Sequence, residues 1–127
     1  MLTTQQKNAL SGLAQRHGWY LLVLFGSVAR GKEGGDIDLA IMPADKPDVI
    51  KLGRWQRELE VIVDPTPVDL VVIQPGMSPL TRFQALWHGV CLFEAREGLF
   101  EQEQNRAFRR QADARVWLQH NADVRDG

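Results

Sequence analysis

The chain has 127 residues, with 15 Lys and Arg against 16 Asp and Glu, which leaves a formal net charge of −1. This balance argues against a protein that binds long nucleic acid by neutralising its phosphates. The length predicts a single domain, residues 1–127, large enough to bury a core without disulfides or a structural metal. The one cysteine, Cys91, excludes an intramolecular disulfide framework and a cysteine-rich zinc site.

The sequence has no apolar run long enough to cross a membrane. Its longest one, residues 19–25, is far shorter than the roughly 20 residues that a membrane-spanning helix requires. The first residues have neither the basic segment nor the apolar segment of a secretory signal. We therefore expect a cytoplasmic protein with no membrane association.

Residues 4–17 are predicted to form the first helix. Thr3 and Gln6 have the spacing of a capping box at its start, and Gly18 is a typical helix stop. Residues 19–25 are apolar throughout and are followed by Gly26, a pattern typical of a strand that is covered on both faces. They are predicted to form a central strand.

The remaining elements follow from changes in periodicity. Residues 36–41 alternate between apolar and polar side chains, which predicts a half-buried strand with its acids on the open face. Residues 47–60 are predicted to be helical. The predicted buried side consists of Val49, Leu52, Trp55 or Gln56, and Leu59. Further predicted elements are a strand over residues 67–73, a helix capped by Ser78 and ending near residue 88, an edge strand over 90–93, and a long polar helix over about 97–122.

Three acids interrupt strands that are otherwise apolar. Asp36 and Asp38 are two residues apart, so they project to one face of a strand, about 7 Å from each other. Asp69 lies inside the next strand and converges with them if the two strands pair. Like charges 4 Å apart repel by about 1 kcal/mol in water and about 4 kcal/mol at an effective dielectric of 20. A bound cation between the carboxylates would turn this net repulsion into a net attraction. Mg²⁺ binds one or two carboxylates together with substrate phosphates.

A Gly-Ser turn follows the first predicted strand. The main-chain N–H groups of Gly26 and Ser27, with the serine hydroxyl, can approach an anion, and a short helix that begins there adds a favourable dipole. These residues therefore predict a phosphate site. Arg30, in the same turn, either adds positive charge to that site or is an ordinary surface residue.

The order and spacing of these features resemble the polymerase β-like nucleotidyltransferase superfamily, and the short chain is similar to its minimal nucleotidyltransferases (MNT). The resemblance covers a motif core at about residues 19–73. It implies an α+β fold, a small mixed β-sheet flanked by helices. The motifs that carry it are Gly26-Ser27, Arg30-Gly31, Asp36-Ile37-Asp38-Leu39 and Val68-Asp69-Leu70-Val71.

The resemblance also implies a role for each motif residue. Asp36 and Asp38 would hold two Mg²⁺ ions, and Asp69 would complete the metal site and help to deprotonate an acceptor hydroxyl. Gly26 and Ser27 would bind the triphosphate of ATP, with Arg30 as a further nucleotide contact. The loop over residues 28–35 is two residues shorter than is common in the family, which bears on nucleotide choice and rate more than on the metal site.

The implied function is transfer of AMP from ATP to a hydroxyl. MNT proteins of the MntA-like type are antitoxins that modify a tyrosine of a HEPN-type ribonuclease toxin, so the expected partners are such a toxin and a nucleoside triphosphate. One alternative is transfer to a small molecule such as an aminoglycoside, although those enzymes usually carry a further helical domain. Another is a binding module that neutralises its partner by contact alone, which would not need three mutually repelling acids.

Three arginines lie on adjoining turns of the last predicted helix. Arg106, Arg109 and Arg110 stand beside Glu103 and Asp113. This pattern is typical of a solvated, salt-bridged helix face. The alternative is a docking surface, because the apolar residues of this helix do not form one narrow stripe.

Overall fold

The computed structural model of the protein describes residues 2–29, 31 and 35–126, and for residues 27 and 116–126 it describes the main chain only. Its elements, in chain order, are α1 (Thr4–His17), β1 (Leu21–Phe25), α2 (Gly26–Ala29), β2 (Ile37–Met42), α3 (Val49–Val63), β3 (Val68–Val72), α4 (Pro79–Trp87), β4 (Val90–Glu94) and α5 (Leu99–Asp126).

Within these described residues, the strands form one sheet in the order β3-β2-β1-β4. β1 pairs antiparallel with β2 and with β4, whereas β2 and β3 run parallel. A mixed sheet flanked by helices confirms the predicted α+β class. The apolar strand β1 lies inside the sheet and β4 lies at an edge, as predicted.

The first helix has the predicted boundaries and caps. The Thr3 hydroxyl accepts a hydrogen bond from the main-chain N–H of Gln6 at 3.0 Å, and the Gln6 side chain accepts one from the N–H of Thr3 at 2.9 Å. This reciprocal pair is the capping box that the spacing indicated. Gly18 ends the helix with a φ of 67°, a conformation that glycine adopts at little cost.

Helices cover both faces of the sheet. One face packs against α1 and α3 in a cluster that includes Leu39 and Leu59, and the other packs against α4 and α5 in a cluster that includes Ala40 and Leu86. The prediction that β2 is half-buried was therefore wrong at Ala40, because the α4 cluster covers the middle of that strand. The strand end that carries Asp38 is only partly buried, which leaves it accessible.

The buried side of α3 differs from the prediction at its first turn. Val49 was expected to be buried and is 86% exposed. The helix begins after Asp48, whose side chain accepts a hydrogen bond from the N–H of Lys51 at 2.7 Å. The core cluster reaches α3 only from Leu52 onward, so Val49 in the first turn has no apolar partner there.

Other boundaries shift by a few residues. β1 begins at Leu21 rather than at residue 19, and α5 runs from Leu99 to Asp126 rather than over 97–122. In the part of the chain that the structure describes, no helix combines the length and the apolarity that crossing a bilayer requires.

Candidate active site

Asp38 and Asp69 lie side by side on neighbouring strands. In the parallel pairing of β2 with β3, Asp38 is the register partner of Asp69. Register partners point to the same face of a sheet, so both carboxyls lie on one face. Asp38 is partly buried and Asp69 is exposed. The structure thus brings together two of the three acids that the sequence singled out.

Asp36 lies just before β2, which begins at Ile37, and its side chain is exposed. The sequence had placed it inside the strand. Among the described residues, no group of three or more His, Cys, Asp or Glu side chains is arranged to hold a metal ion. Asp36 is close enough for its charge to act on Asp38, and a metal site of all three acids remains a prediction.

The pKa of Asp38 is raised above its ordinary value. Burial is the largest cause, followed by the negative charges of Asp69 and Asp36 and by a hydrogen bond between the Asp38 and Asp69 side chains. Each cause disfavours the ionised form of Asp38. A cation at this position would offset the repulsion and hold Asp38 ionised, which is the electrostatic condition expected of a metal-binding carboxylate.

Gly26 brings the main chain against the carboxyl of Asp38. The last residue of β1, Phe25, is the register partner of Asp38 in the antiparallel pairing of β1 with β2. Gly26 follows with a φ of 75° and begins α2. A Cβ added at Gly26 would overlap the Asp38 Oδ2 and would lie 2.9 Å from the Asp38 Cγ. Only glycine permits this approach, so the Gly-Ser turn and the acid pair form one site.

Of the predicted phosphate contacts, Ser27 is described only in part and Arg30 is not described. Ser27 lies in α2 next to Gly26, but the description of this residue is limited to its main chain. Arg30 lies outside the described residues. The roles of both in binding a triphosphate therefore remain predictions.

A cleft of about 440 Å³ opens next to Gly26. Its walls come from the end of β1, from α4 and from α5. Sequence reasoning did not identify these wall residues, because α4 and α5 are distant in the chain and carry no motif. Besides Phe25 and Gly26, they are Leu80, Phe83, Gln84, His88, Gln111 and Arg115.

Aromatic side chains extend from this cleft onto the surface. Phe83, in the cleft wall, stacks on Trp87 with ring centroids 5.6 Å apart, and Trp87 lies 5.2 Å from Phe108 of α5. Trp87 is 39% exposed and Phe108 is 47% exposed. We call Phe83, Trp87 and Phe108 the aromatic patch. α4 and α5 form one side of the site, and the aromatic patch is an accessible apolar surface on that side.

Comparison with protein families identifies the domain. The family model described as polymerase beta, nucleotidyltransferase matches residues 9–98, a span that includes the Gly-Ser turn and all three acids. The chain belongs to the polymerase beta nucleotidyltransferase family. No curated protein matches the chain.

Solved structures share this nucleotidyltransferase fold. A chain of a toxin–antitoxin complex with AMP-PNP has a TM-score of 0.77 at 23% identity, over 95% of this chain and 98% of that one. A chain of the tri-AMPylated Shewanella oneidensis HEPN toxin in complex with MNT antitoxin has a TM-score of 0.72 at 22% identity, over 96% of this chain and 97% of that one. A chain of an MntA–HepT toxin–antitoxin structure has a TM-score of 0.73 at 21% identity, over 98% and 100% of the two chains.

Replacing Gly26 with Ala should both destabilise this nucleotidyltransferase and impair nucleotide transfer. A left-handed conformation costs a residue with a Cβ about 1–2 kcal/mol, and the added Cβ would also displace the Asp38 carboxyl. Gly53→Ala is the matched control, because a Cβ there meets nothing within 4 Å and lies in a helix, where Ala is favoured by about 1 kcal/mol. Denaturant unfolding and transfer assays of both variants test this, and a Gly26→Ala protein as stable and active as wild type would refute it.

Proposed function

We propose that this protein is a Mg²⁺-dependent nucleotidyltransferase that moves AMP from ATP to a tyrosine hydroxyl of a HEPN-type ribonuclease toxin, and so acts as an antitoxin. The observation that carries the proposal is the contact between the main chain of Gly26 and the carboxyl of Asp38, with Asp69 on the adjacent strand. Two structural neighbours support it: one complex contains AMP-PNP, and another contains a tri-AMPylated HEPN toxin with its MNT antitoxin.

The nucleotide binds at the Gly-Ser turn. Main-chain N–H groups at Gly26 and Ser27, together with the Ser27 hydroxyl, contact the triphosphate, and Arg30 adds positive charge. The cleft of about 440 Å³ begins at Gly26 and leaves room for the rest of the nucleotide. Ligand sites in proteins commonly have volumes of about 300–1,000 Å³, so this space is adequate for part of a nucleotide that remains partly exposed.

The acids suit the binding of Mg²⁺. Carboxylate oxygens are the hard donors that this ion prefers, and one or two carboxylates suffice when phosphate oxygens and water complete its coordination. Asp38 and Asp69 supply such a pair on adjacent strands, with Asp36 two residues before Asp38. When bound, two Mg²⁺ ions would supply the positive charge that stabilises the attacking and leaving oxygens of an in-line displacement.

Asp69 is the residue that takes the proton from the acceptor. It is exposed and lies on the edge strand β3, where a hydroxyl from outside can reach it. The hydroxyl oxygen forms a bond to the α-phosphorus, and the bond between the α-phosphorus and the oxygen that bridges it to the β-phosphate breaks, so that pyrophosphate leaves. The hydroxyl proton moves to the Asp69 carboxylate. Asp36 and Asp38 then serve to hold positive charge, and Gly26 fixes the triphosphate in line.

A protein acceptor fits the surroundings of the site better than a small molecule does. The acceptor side, at Asp69, is open rather than enclosed. The aromatic patch beside the cleft exposes large apolar side chains, and such side chains are enriched in protein interfaces. A partner that covers this patch brings its tyrosine to the site from the surface.

ATP and Mg²⁺ together should stabilise the protein more than the sum of their separate effects. The phosphates complete the coordination of the ion, so each ligand raises the affinity for the other. Linkage predicts that a ligand present at 100 times its dissociation constant raises the free energy of unfolding by about 2.7 kcal/mol. Thermal unfolding with MgCl₂, with ATP in EDTA, and with both measures the coupling, and strictly additive shifts would contradict the proposed site.

A further inference from the structure

A second cavity lies at the opposite end of the sheet from the acids. It has a volume of about 760 Å³, and its wall includes Tyr20 before β1, Met42 at the end of β2 and Ile73 after β3. Asp38 and Met42 are the second and last residues of β2, which places them about 13 Å apart at the rise of a strand. This far-end cavity is therefore separate from the Gly26 cleft.

The wall of the far-end cavity carries an excess of positive charge. Four arginines contribute to it, Arg82 from α4, Arg96 from the β4–α5 connection, and Arg106 and Arg110 from α5. Among the described residues that line the cavity, Glu103 is the one acid. The sequence pattern indicated a solvated face or a docking surface for α5. It did not indicate this cavity, because α4 and the β4–α5 connection meet α5 only through tertiary contacts.

Arg82 and Glu103 form a buried ion pair in this wall. They are 8% and 5% exposed, and the Arg82 Nη2 lies 3.1 Å from the Glu103 Oε2. The Arg106 Nη1 lies 3.5 Å from the other oxygen of the same carboxylate, so one acid is shared by two guanidinium groups. The Arg82 Nε is buried without an acceptor among the described residues. Buried donors nearly always have partners, so this Nε is an unsatisfied donor. The charge of Arg82 is only partly neutralised, because Arg106 shares the carboxylate of Glu103.

We propose that the far-end cavity binds a nucleoside polyphosphate, at a site distinct from the Gly26 cleft and independent of metal. Guanidinium groups bind phosphate oxygens through paired hydrogen bonds, and Arg106 and Arg110, one helical turn apart, present such groups at the same wall. Tyr20, which is exposed, and Met42, which is partly buried, line the same cavity and offer a surface against which a base can pack. The concave volume suits a small molecule.

Three single substitutions on α5 separate this site from the nucleotidyltransferase site. Arg110→Gln removes a charge from the wall of the far-end cavity. Arg109→Gln removes the charge of the neighbouring residue, which does not line that cavity. Arg115→Gln removes a charge from the wall of the Gly26 cleft. The probe is ADP in EDTA at low salt, with binding to the full chain measured by calorimetry. Because the metal is chelated, this experiment can fail without affecting the proposed transfer of AMP.

We expect ADP to bind the wild-type protein, and Arg110→Gln to weaken that binding about tenfold or more, as loss of a charge-assisted hydrogen bond implies. Arg106→Gln should act in the same direction, whereas Arg109→Gln and Arg115→Gln should leave the affinity within about twofold of wild type. Adenosine should bind far more weakly than ADP. No binding of ADP to the wild-type protein, equal losses in the Arg109 and Arg110 variants, a loss confined to Arg115→Gln, or equal binding of adenosine would each overturn the proposal.

Discussion

Asp38→Asn should abolish nucleotide transfer while leaving the metal-free protein at least as stable as the wild type. The carboxyl lies opposite Asp69 and against Gly26, where it would bind metal. Metal ions contribute several kcal/mol to transition-state stabilisation, so loss of a ligand should lower the rate by on the order of 10³-fold or more. Asn is nearly isosteric and removes a repelling charge, so the fold should not suffer. Asp36→Asn should behave in the same way.

The pH dependence of stability supplies a second readout for Asp38. Its pKa is raised in the folded state, chiefly by burial and then by the charges of Asp69 and Asp36. The folded state therefore binds more protons than the unfolded state across this titration, and the stability of the metal-free protein should fall as the pH rises through it. Asp38→Asn should remove that part of the dependence.

Thermal unfolding in EDTA at several pH values measures the stability of the Asp38→Asn protein and the pH dependence of that stability. Asp45→Asn is the matched control, because Asp45 is exposed and lies beyond the opposite end of β2. It should change neither transfer nor the pH dependence that Asp38 confers. An Asp38→Asn protein that is markedly less stable than wild type would mean that the acid is structural, and the proposed site would be wrong at that residue.

A HEPN-type toxin treated with this protein, ATP and Mg²⁺ should remain without ribonuclease activity after the two proteins are separated. The proposed product carries AMP on a tyrosine through a covalent bond, and removal of the antitoxin does not break that bond. The measurement is toxin activity before mixing, in the mixture, and after separation under conditions that dissociate the complex. We expect activity to stay near background in the last two.

Reactions without ATP, and reactions with Asp38→Asn protein, are the controls. Both should leave the separated toxin fully active. If activity instead returned after separation from the wild-type protein, and the Asp38→Asn protein inhibited equally well in the mixture, the protein would act by contact alone. That outcome would reject the catalytic proposal and favour a binding module.

The parts of the fold that depend on local sequence were predictable. The capping box of Thr3 and Gln6 and the stop at Gly18 depend on neighbouring residues, so α1 has the boundaries that the sequence indicated. The apolar strand β1 and the Gly26 turn after it were also recognisable, because a buried strand that ends at glycine is a local pattern. Predicting that Asp38 lies beside Asp69 requires more than local sequence, because it depends on the parallel register of β2 with β3.

Features that depend on distant elements could not be read from the sequence. Ala40 is buried because the α4 cluster packs over β2, and nothing within the strand indicates this. Val49 is exposed because the core cluster begins later in α3. The Arg82–Glu103 pair joins α4 to α5 across a wide separation in the chain, and neither residue belongs to a motif.

The intact mass of the separated toxin tests the central claim most directly. After incubation with this protein, ATP and Mg²⁺, the mass should rise by one or more AMP units, and peptide analysis should place each unit on a tyrosine. With the Asp38→Asn protein the mass should not change. An unchanged toxin mass in a reaction where the wild-type protein nevertheless suppresses ribonuclease activity would contradict AMP transfer as the basis of its function.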